Sequence, residues 1–202
     1  MIRTIFFDFG NVIGFFDHQR AIDQLVKFTD LNAIELSLRL YGGPVLDDYE
    51  IGRIGTPEYV REAKMNGRLS CTQDEFLTCF CDIFWRNDEV CDLIPKLKPR
   101  YRLVLASNTV DAHFCRYVAD YADVFAHFNH LVASHHANAR KPHVEFYAYA
   151  HQFALAEPDE CLFVDDLPVN IETAERFGWK GIVYRPDGTL ADKLRQAGVQ
   201  LA

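Results

Sequence analysis

Five short apolar runs punctuate the chain: "TIFFD" at 4–8, "RLVLAS" at 102–107, "HLVAS" at 130–134, "CLFVDD" at 161–166 and "GIVYR" at 181–185. Each is continuous rather than alternating, the pattern of a strand covered on both faces. Helical periods lie between them. "TVDAHFCRYVADYA" follows the second run. "HVEFYAYAHQF" precedes the fourth and places Phe146, Ala150 and Phe153 on one face. "NIETAERFG" follows the fourth, with Ile171, Ala174 and Phe177 in helical register and Gly178 as a stop. "TLADKLRQAG" closes the chain in the same manner. Alternating strands and helices predict an α/β fold: a Rossmann-like core built on a parallel five-stranded sheet.

Between the first and second runs the pattern changes. Residues 16–86 show helix signals and no strand pattern. Ile22, Leu25 and Val26 share a face in "HQRAIDQLVKF". Thr56-Pro57-Glu58 offers an N-cap, a first-position proline and an acid in the first turn, with Gly67 as the stop. Thr72 and Glu75 form a capping box ahead of Phe76, Leu77, Phe80 and Phe84. The division predicted is a core of residues 1–15 and 87–202 and an inserted small helical cap of residues 16–86. Pro95 in "DEVCDLIPKLK" should kink or end its helix. "YGGPVLDDYEIGRIG", 41–55, reads as an irregular stretch of the cap, a hinge or a substrate contact; its Asp47-Asp48 has no strand to position it as a metal pair.

Composition narrows the function. The 202 residues are 49% hydrophobic and 25% charged, which excludes a disordered chain. The net charge of −8 opposes a nucleic-acid partner. No apolar run reaches the length of a membrane span, and "MIRTIFFDFG" is too short and too acidic for a signal peptide. The six cysteines (Cys71, Cys79, Cys81, Cys91, Cys115, Cys161) form no paired C-x-x-C motif, as expected of free thiols in a reducing cytoplasm. A monomer or a homodimer fits these data. Histidines crowd 127–151, but a zinc site needs geometry rather than density, so a solvated or core role is expected. His135 and His136 are placed to border a pocket ahead of Lys141.

Four polar features end or follow apolar elements: Asp8, Ser107-Asn108-Thr109, Lys141 and Asp165-Asp166. In an open parallel sheet, ligands sit beyond the carboxyl ends of the strands where the strand order switches. With the first strand central, all four features meet there. Three carboxylates in one crevice require a cation, and all-oxygen ligands suit Mg²⁺ together with a substrate phosphate. Lysine, hydroxyl and backbone N–H groups suit phosphate oxygens. A carboxylate facing a phosphate beside such an ion is a candidate nucleophile. Pro142 is expected to open the next helix and set Lys141 near its positive end.

These motifs resemble those of the haloacid dehalogenase-like hydrolases. "FFDFGNVI" is similar to the family's first motif, D-x-D-x-T/V; "LVLASNT" to the second; "ARKPH" to the third; and "LFVDDLPVNIETAERFGW", the most specific, to the acidic fourth. The resemblance covers the strands of the whole core. It implies Asp8 as nucleophile and metal ligand, Ser107 and Asn108 as phosphate binders with Asn11 beside them, and Lys141 as the charge clamp. It implies a metal held by Asp8, the Gly10 carbonyl and Asp166, with Asp165 as a second ligand or an outer partner.

Gly10 departs from the pattern. Phosphatases of the family usually carry a second Asp there, whose side chain protonates the leaving alcohol. A group of that kind contributes about 10²–10⁴-fold. Its loss predicts a bias towards leaving groups that depart unaided: anomeric sugar 1-phosphates, acyl phosphates or aryl phosphates. An FDxGNV first motif resembles a subset that includes sugar-phosphate phosphatases. The expectation is a Mg²⁺-dependent phosphatase of small phosphorylated metabolites working through an aspartyl-phosphate. A 2-haloacid dehalogenase-type hydrolase is the first alternative, which "VDDLPVN" disfavours. A catalytically weak phosphate-binding module is the second. A phospho-acceptor receiver domain is disfavoured because its acidic pair follows the first strand, not the fourth.

Overall fold

The computed structural model describes residues 1–201. Five parallel strands, β1 (Thr4–Phe7), β4 (Arg102–Ser107), β5 (His130–Ala133), β6 (Cys161–Asp165) and β7 (Lys180–Val183), form one sheet in the order β5-β4-β1-β6-β7. The remaining strands, β2 (Gly14–Phe16) and β3 (Phe84–Arg86), pair antiparallel as a separate ribbon. The expected α/β class and five-stranded parallel sheet are both present.

The continuous apolar runs have a direct cause. Ile5, Phe7, Leu103, Leu105, Leu162 and Val164 fill a cluster on one face of the sheet. Phe6, Val104, Ala106, Cys161 and Phe163 fill a cluster on the other. Successive side chains point to opposite faces, and both faces are buried. Trp179 stacks on Phe6 with ring centroids 4.1 Å apart.

The insertion carries five helices: α1 (Gln19–Leu25), α2 (Ala33–Tyr41), α3 (Pro44–Glu50), α4 (Thr56–Asn66) and α5 (Gln73–Cys81). They enclose their own core, which includes Ile22, Leu36, Leu40, Tyr59, Phe76 and Phe80. Thr72 and Glu75 cap α5 reciprocally as expected, and Asn32 and Glu35 do the same for α2. Four local expectations are corrected. The stretch read as strand-free contains β2 and β3, which are too short to display an alternation. Phe84 belongs to β3, because α5 ends at Cys81. The stretch 41–55 is not irregular throughout: Gly43, at φ 98°, delivers Pro44 to the first turn of α3. Thr56 lies inside α4, and Gly55 is the N-cap. The Thr56 hydroxyl is used elsewhere, donating to Asp111 Oδ2 at 2.7 Å.

The other helices return to the sheet: α6 (Asp88–Cys91), α7 (Ile94–Leu97), α8 (Asp111–Asp120), α9 (Ala122–Phe125), α10 (Ser134–Ala137), α11 (Val144–His151), α12 (Pro168–Phe177) and α13 (Leu190–Gln196). Pro95 sits in the first turn of α7, which starts at Ile94 after a break, in place of a single longer helix. Pro142 does not open α11; His143 is its N-cap, and Lys141-Pro142 form a turn ahead of it. No helix among the described residues is long and apolar enough to cross a membrane.

Candidate active site

The register builds the site. β1 is central, and Phe7 pairs with Leu105 on β4 and Val164 on β6. Asp8 and Asp165 follow those pairs directly at the carboxyl rim, and Ser107 stands one residue further along β4, beyond Ala106 and opposite Ala133 of β5. Asp8 is fixed there by its own N–H, which donates to the Val164 carbonyl at 2.9 Å. A tight turn follows, in which the Phe9 carbonyl accepts from Ile13 N–H at 2.9 Å and Gly14 N–H at 3.0 Å. Asn11 takes φ 55° in this turn, a conformation that asparagine adopts more readily than most residues.

Lys141 enters from the turn before α11 and is almost fully buried. Its ammonium lies 3.0 Å from Asp8 Oδ1 and 2.7 Å from Asp165 Oδ2. Burial presses the Lys141 pKa down, but Asp165 and Asp8 outweigh it and the net shift is upward. Burial pushes Asp8 up to about 7, against the pull of Lys141 and with the charges of Asp165 and Asp166 adding to it. Asp8 Oδ1 also accepts from Phe9 N–H at 2.7 Å. Both donors therefore take one oxygen and leave Oδ2 to react.

The acidic pair divides in two. Asp165 is fully buried and saturated: Oδ1 accepts from Leu167 N–H at 2.8 Å and Asn170 Nδ2 at 2.9 Å, and Oδ2 accepts from Lys141. Asp166 is half-buried, and its carboxylate accepts from Asn11 Nδ2 at 3.1 Å. Burial raises its pKa. Carboxylate oxygens of Asp8, Asp165 and Asp166 lie within 4.8 Å of one another. Three carboxylates against one ammonium leave an excess of two negative charges, which a divalent cation with a preference for oxygen would balance. The donor set therefore fits Mg²⁺.

The Ser107 hydroxyl is buried, with one long contact of 3.5 Å to the Asn108 carbonyl. The Asn108 carboxamide is committed to Lys141: Oδ1 accepts from its N–H at 2.8 Å and Nδ2 donates to its carbonyl at 2.9 Å. Asn11 likewise spends its amide on Asp166. The site-adjacent residue with no sequence signal is Arg185, whose guanidinium donates to the Asp166 carbonyl at 2.6 Å. It lies just past the end of β7, and a strand-end position is the only hint the sequence carries.

A haloacid dehalogenase-like hydrolase family model matches residues 2–178. The chain belongs to the haloacid dehalogenase-like hydrolases. It is 25% identical over 196 residues to the D-ribitol-5-phosphate phosphatase of Bacteroides thetaiotaomicron, covering 93% of each chain. A haloacid dehalogenase family enzyme from the same organism, solved with magnesium and inorganic phosphate, superposes with a TM-score of 0.80 at 20% identity, over 93% of this chain and 96% of that one. A predicted hydrolase of the family from Porphyromonas gingivalis gives 0.83 at 24% identity, over 99% and 100%.

In this hydrolase a cavity of about 170 Å³ opens beside Ser107 and Asn108, between the turn at Phe9-Gly10, the β2–β3 ribbon and the inserted helices. The insertion is latched over the core. Ser134 Oγ donates to the Glu50 carbonyl at 2.6 Å, and Arg140 pairs with Glu50 and, at 3.0 Å, with Asp47. The Asp47-Asp48 pair thus serves arginines, with Arg53 on Asp48. His135 does not line the cavity; its Nδ1 meets the Thr109 carbonyl at 2.9 Å, and His136 packs edge-on to Phe114.

Proposed function

We propose that this hydrolase is a Mg²⁺-dependent phosphomonoesterase of small phosphorylated metabolites, working through an aspartyl-phosphate on Asp8, and that it belongs with the small-helical-cap members that carry an FDxGNV first motif. The observation that carries the reading is Asp8 itself: a buried carboxylate with one oxygen tied down and one free, between Lys141 and the acidic pair, next in the chain to Phe9 and Gly10, which line the cavity. Two likenesses support it. One relative is named a D-ribitol-5-phosphate phosphatase, which is why sugar phosphates are among the candidate substrates. One neighbour of the same fold was solved with magnesium and phosphate.

Asp8, Asp166 and the Gly10 carbonyl would hold the ion, which supplies charge neutralisation for the transferring phosphoryl group. Asp165 is assigned to the outer layer, because its oxygens are already filled by Lys141, Leu167 and Asn170. Asp8 Oδ2 attacks phosphorus, the bond to the leaving oxygen breaks, and Asp8 carries the phosphoryl group. Water then attacks phosphorus, and Asp8 and inorganic phosphate are released. Lys141 neutralises charge on the equatorial oxygens, and Ser107 donates to them. Asn108 fixes the main chain from which Lys141 reaches in. The inserted helices limit access to small substrates and exclude water.

The test is phosphate release from a panel of phosphorylated metabolites, with Mg²⁺ and with a chelator. Turnover that needs Mg²⁺ and vanishes in Asp8→Asn is expected. Turnover that survives the chelator or the substitution contradicts the reading.

A further inference from the structure

We propose that the leaving group this hydrolase is built for is a single aromatic ring, so that its substrates are monocyclic aryl phosphates. The proposal rests on the phosphomonoesterase reading and narrows it. Two independent features of the structure carry it.

The first is the wall of the cavity. Away from Ser107 and Asn108 most of it is ring and aliphatic surface, from Phe9, Phe16, Tyr41, Ile83, Phe84 and His113, with His18, Glu50, Thr109 and Tyr117 as its polar members. Several of these rings already pack as pairs. His18 stacks on Tyr41 at 4.1 Å between centroids, and Phe84 meets His113 edge-on at 5.3 Å. His113 is tied to the Phe80 carbonyl at 3.0 Å and is unavailable to a substrate hydroxyl through that nitrogen. An apolar cavity of about 150 Å³ takes up benzene, so one of about 170 Å³ has room for one ring. The polar groups of the lining, Glu50, Thr109, His18 and the unpartnered hydroxyls of Tyr41 and Tyr117, are outnumbered by ring and aliphatic surface, so a polyol chain would still set part of its hydroxyls against apolar faces, at a cost for each. The wall therefore discriminates among leaving groups that depart unaided. It accepts the aryl class and disfavours the hydroxyl-rich sugar 1-phosphates.

The second is the place where a proton donor would stand. A Cβ on residue 10 would lie 3.0 Å from Phe16 Cε1. The Phe16 ring thus covers the direction in which a side chain at this position would leave the backbone. A carboxylate there is absent from the sequence and its place is held by an apolar ring. With no acid from that position, the P–O bond must break with the electron pair passing to an oxygen that tolerates it. A phenol has a pKa of about 10, against about 16 for water and comparable alcohols. In the step proposed, Asp8 Oδ2 bonds to phosphorus and the aryl P–O bond breaks. The electron pair leaves on the phenolate, which takes its proton from solvent water. Water then attacks the aspartyl-phosphate at phosphorus, its proton passes to solvent, and the Asp8 carboxylate is restored.

The test compares kcat/KM, in Mg²⁺, for phenyl phosphate, ring-substituted phenyl phosphates, a hexose 1-phosphate and a pentitol 5-phosphate. The expected result is a preference for phenyl phosphate of about 100-fold or more over the pentitol ester, the size of an absent acid. The rate should also fall steeply as the pKa of the phenol rises. Phe16→Leu should reduce the aryl preference by raising KM for phenyl phosphate. Equal or faster turnover of the pentitol or hexose ester overturns the aryl assignment and leaves the phosphomonoesterase reading standing. A flat dependence on phenol pKa also overturns it, because another group in the cavity, His18 foremost, is then giving the proton. Absence of Mg²⁺-dependent turnover on every ester overturns the underlying reading as well.

Discussion

The Asn108 carboxamide holds Lys141 by both of its main-chain groups, accepting from the N–H at 2.8 Å and donating to the carbonyl at 2.9 Å. A residue at the end of β4 thereby sets where the ammonium enters from the turn before α11. Asn108→Ala removes both bonds and loosens Lys141. The expected result is a loss of about 1–3 kcal/mol in unfolding free energy, from two hydrogen bonds, with kcat reduced more than KM is raised. Denaturant unfolding and steady-state kinetics check it. A rise in KM alone would mean that Asn108 serves substrate binding rather than Lys141.

The two acids of the pair should separate on substitution. Asp165→Asn strips a buried partner from Lys141 and should cost about 3–5 kcal/mol. Asp166→Asn touches a half-buried carboxylate whose side chain meets only Asn11, so stability should change little. The Mg²⁺ dependence should behave the other way, with Asp166→Asn requiring far more Mg²⁺ for half-maximal turnover. Chemical denaturation of both variants alongside Mg²⁺ titrations decides the assignment.

His113 makes stability sensitive to acid. Burial pushes its pKa down to about 3, below the ordinary value near 6.5. The unfolded chain therefore binds a proton that the folded chain refuses. Stability from this group is fully present above pH 6.5 and is lost progressively as pH falls towards about 3. By pH 5 the loss should reach about 2 kcal/mol relative to pH 7. His113→Gln should flatten the profile over that range by this amount, as measured by denaturant unfolding at a series of pH values.

Arg140 reaches across to Glu50 and Asp47 on α3. The pair is partly exposed, so its removal should cost under about 1 kcal/mol of stability. Its effect on the insertion should be larger in kinetics. Arg140→Ala should raise KM several-fold and expose α3 to proteolysis, with the unfolding midpoint almost unchanged.

Much of the sheet was readable because its causes are local and repeated. A strand buried on both faces must be apolar at every position, and "TIFFD", "RLVLAS" and "CLFVDD" obey that rule. Asp8, Ser107 and Asp165 then follow from where those runs stop. The ribbon of Gly14–Phe16 with Phe84–Arg86 was not readable, because three residues show no period and the partners are far apart in sequence. α3 was hidden by the glycines before Pro44, which read as loop until Gly43 is seen as its N-cap. Pro142 misled in the opposite sense: it looked like a helix start, and Asn108 rather than a helix end positions Lys141. Arg185 had only its strand-end position and the aromatic wall of the cavity had no signature, since each depends on tertiary placement of residues that are unremarkable in sequence.

The central claim is that Asp8 carries the phosphoryl group. Rapid acid quenching during turnover of phenyl phosphate in Mg²⁺, followed by mass analysis of the peptides, measures it directly. The account predicts a peptide containing Asp8 heavier by one phosphoryl group in the wild type and unmodified in Asp8→Asn, which also fails to turn over. Turnover in the wild type with no phosphorylated Asp8 peptide, or continued turnover by Asp8→Asn, would contradict it.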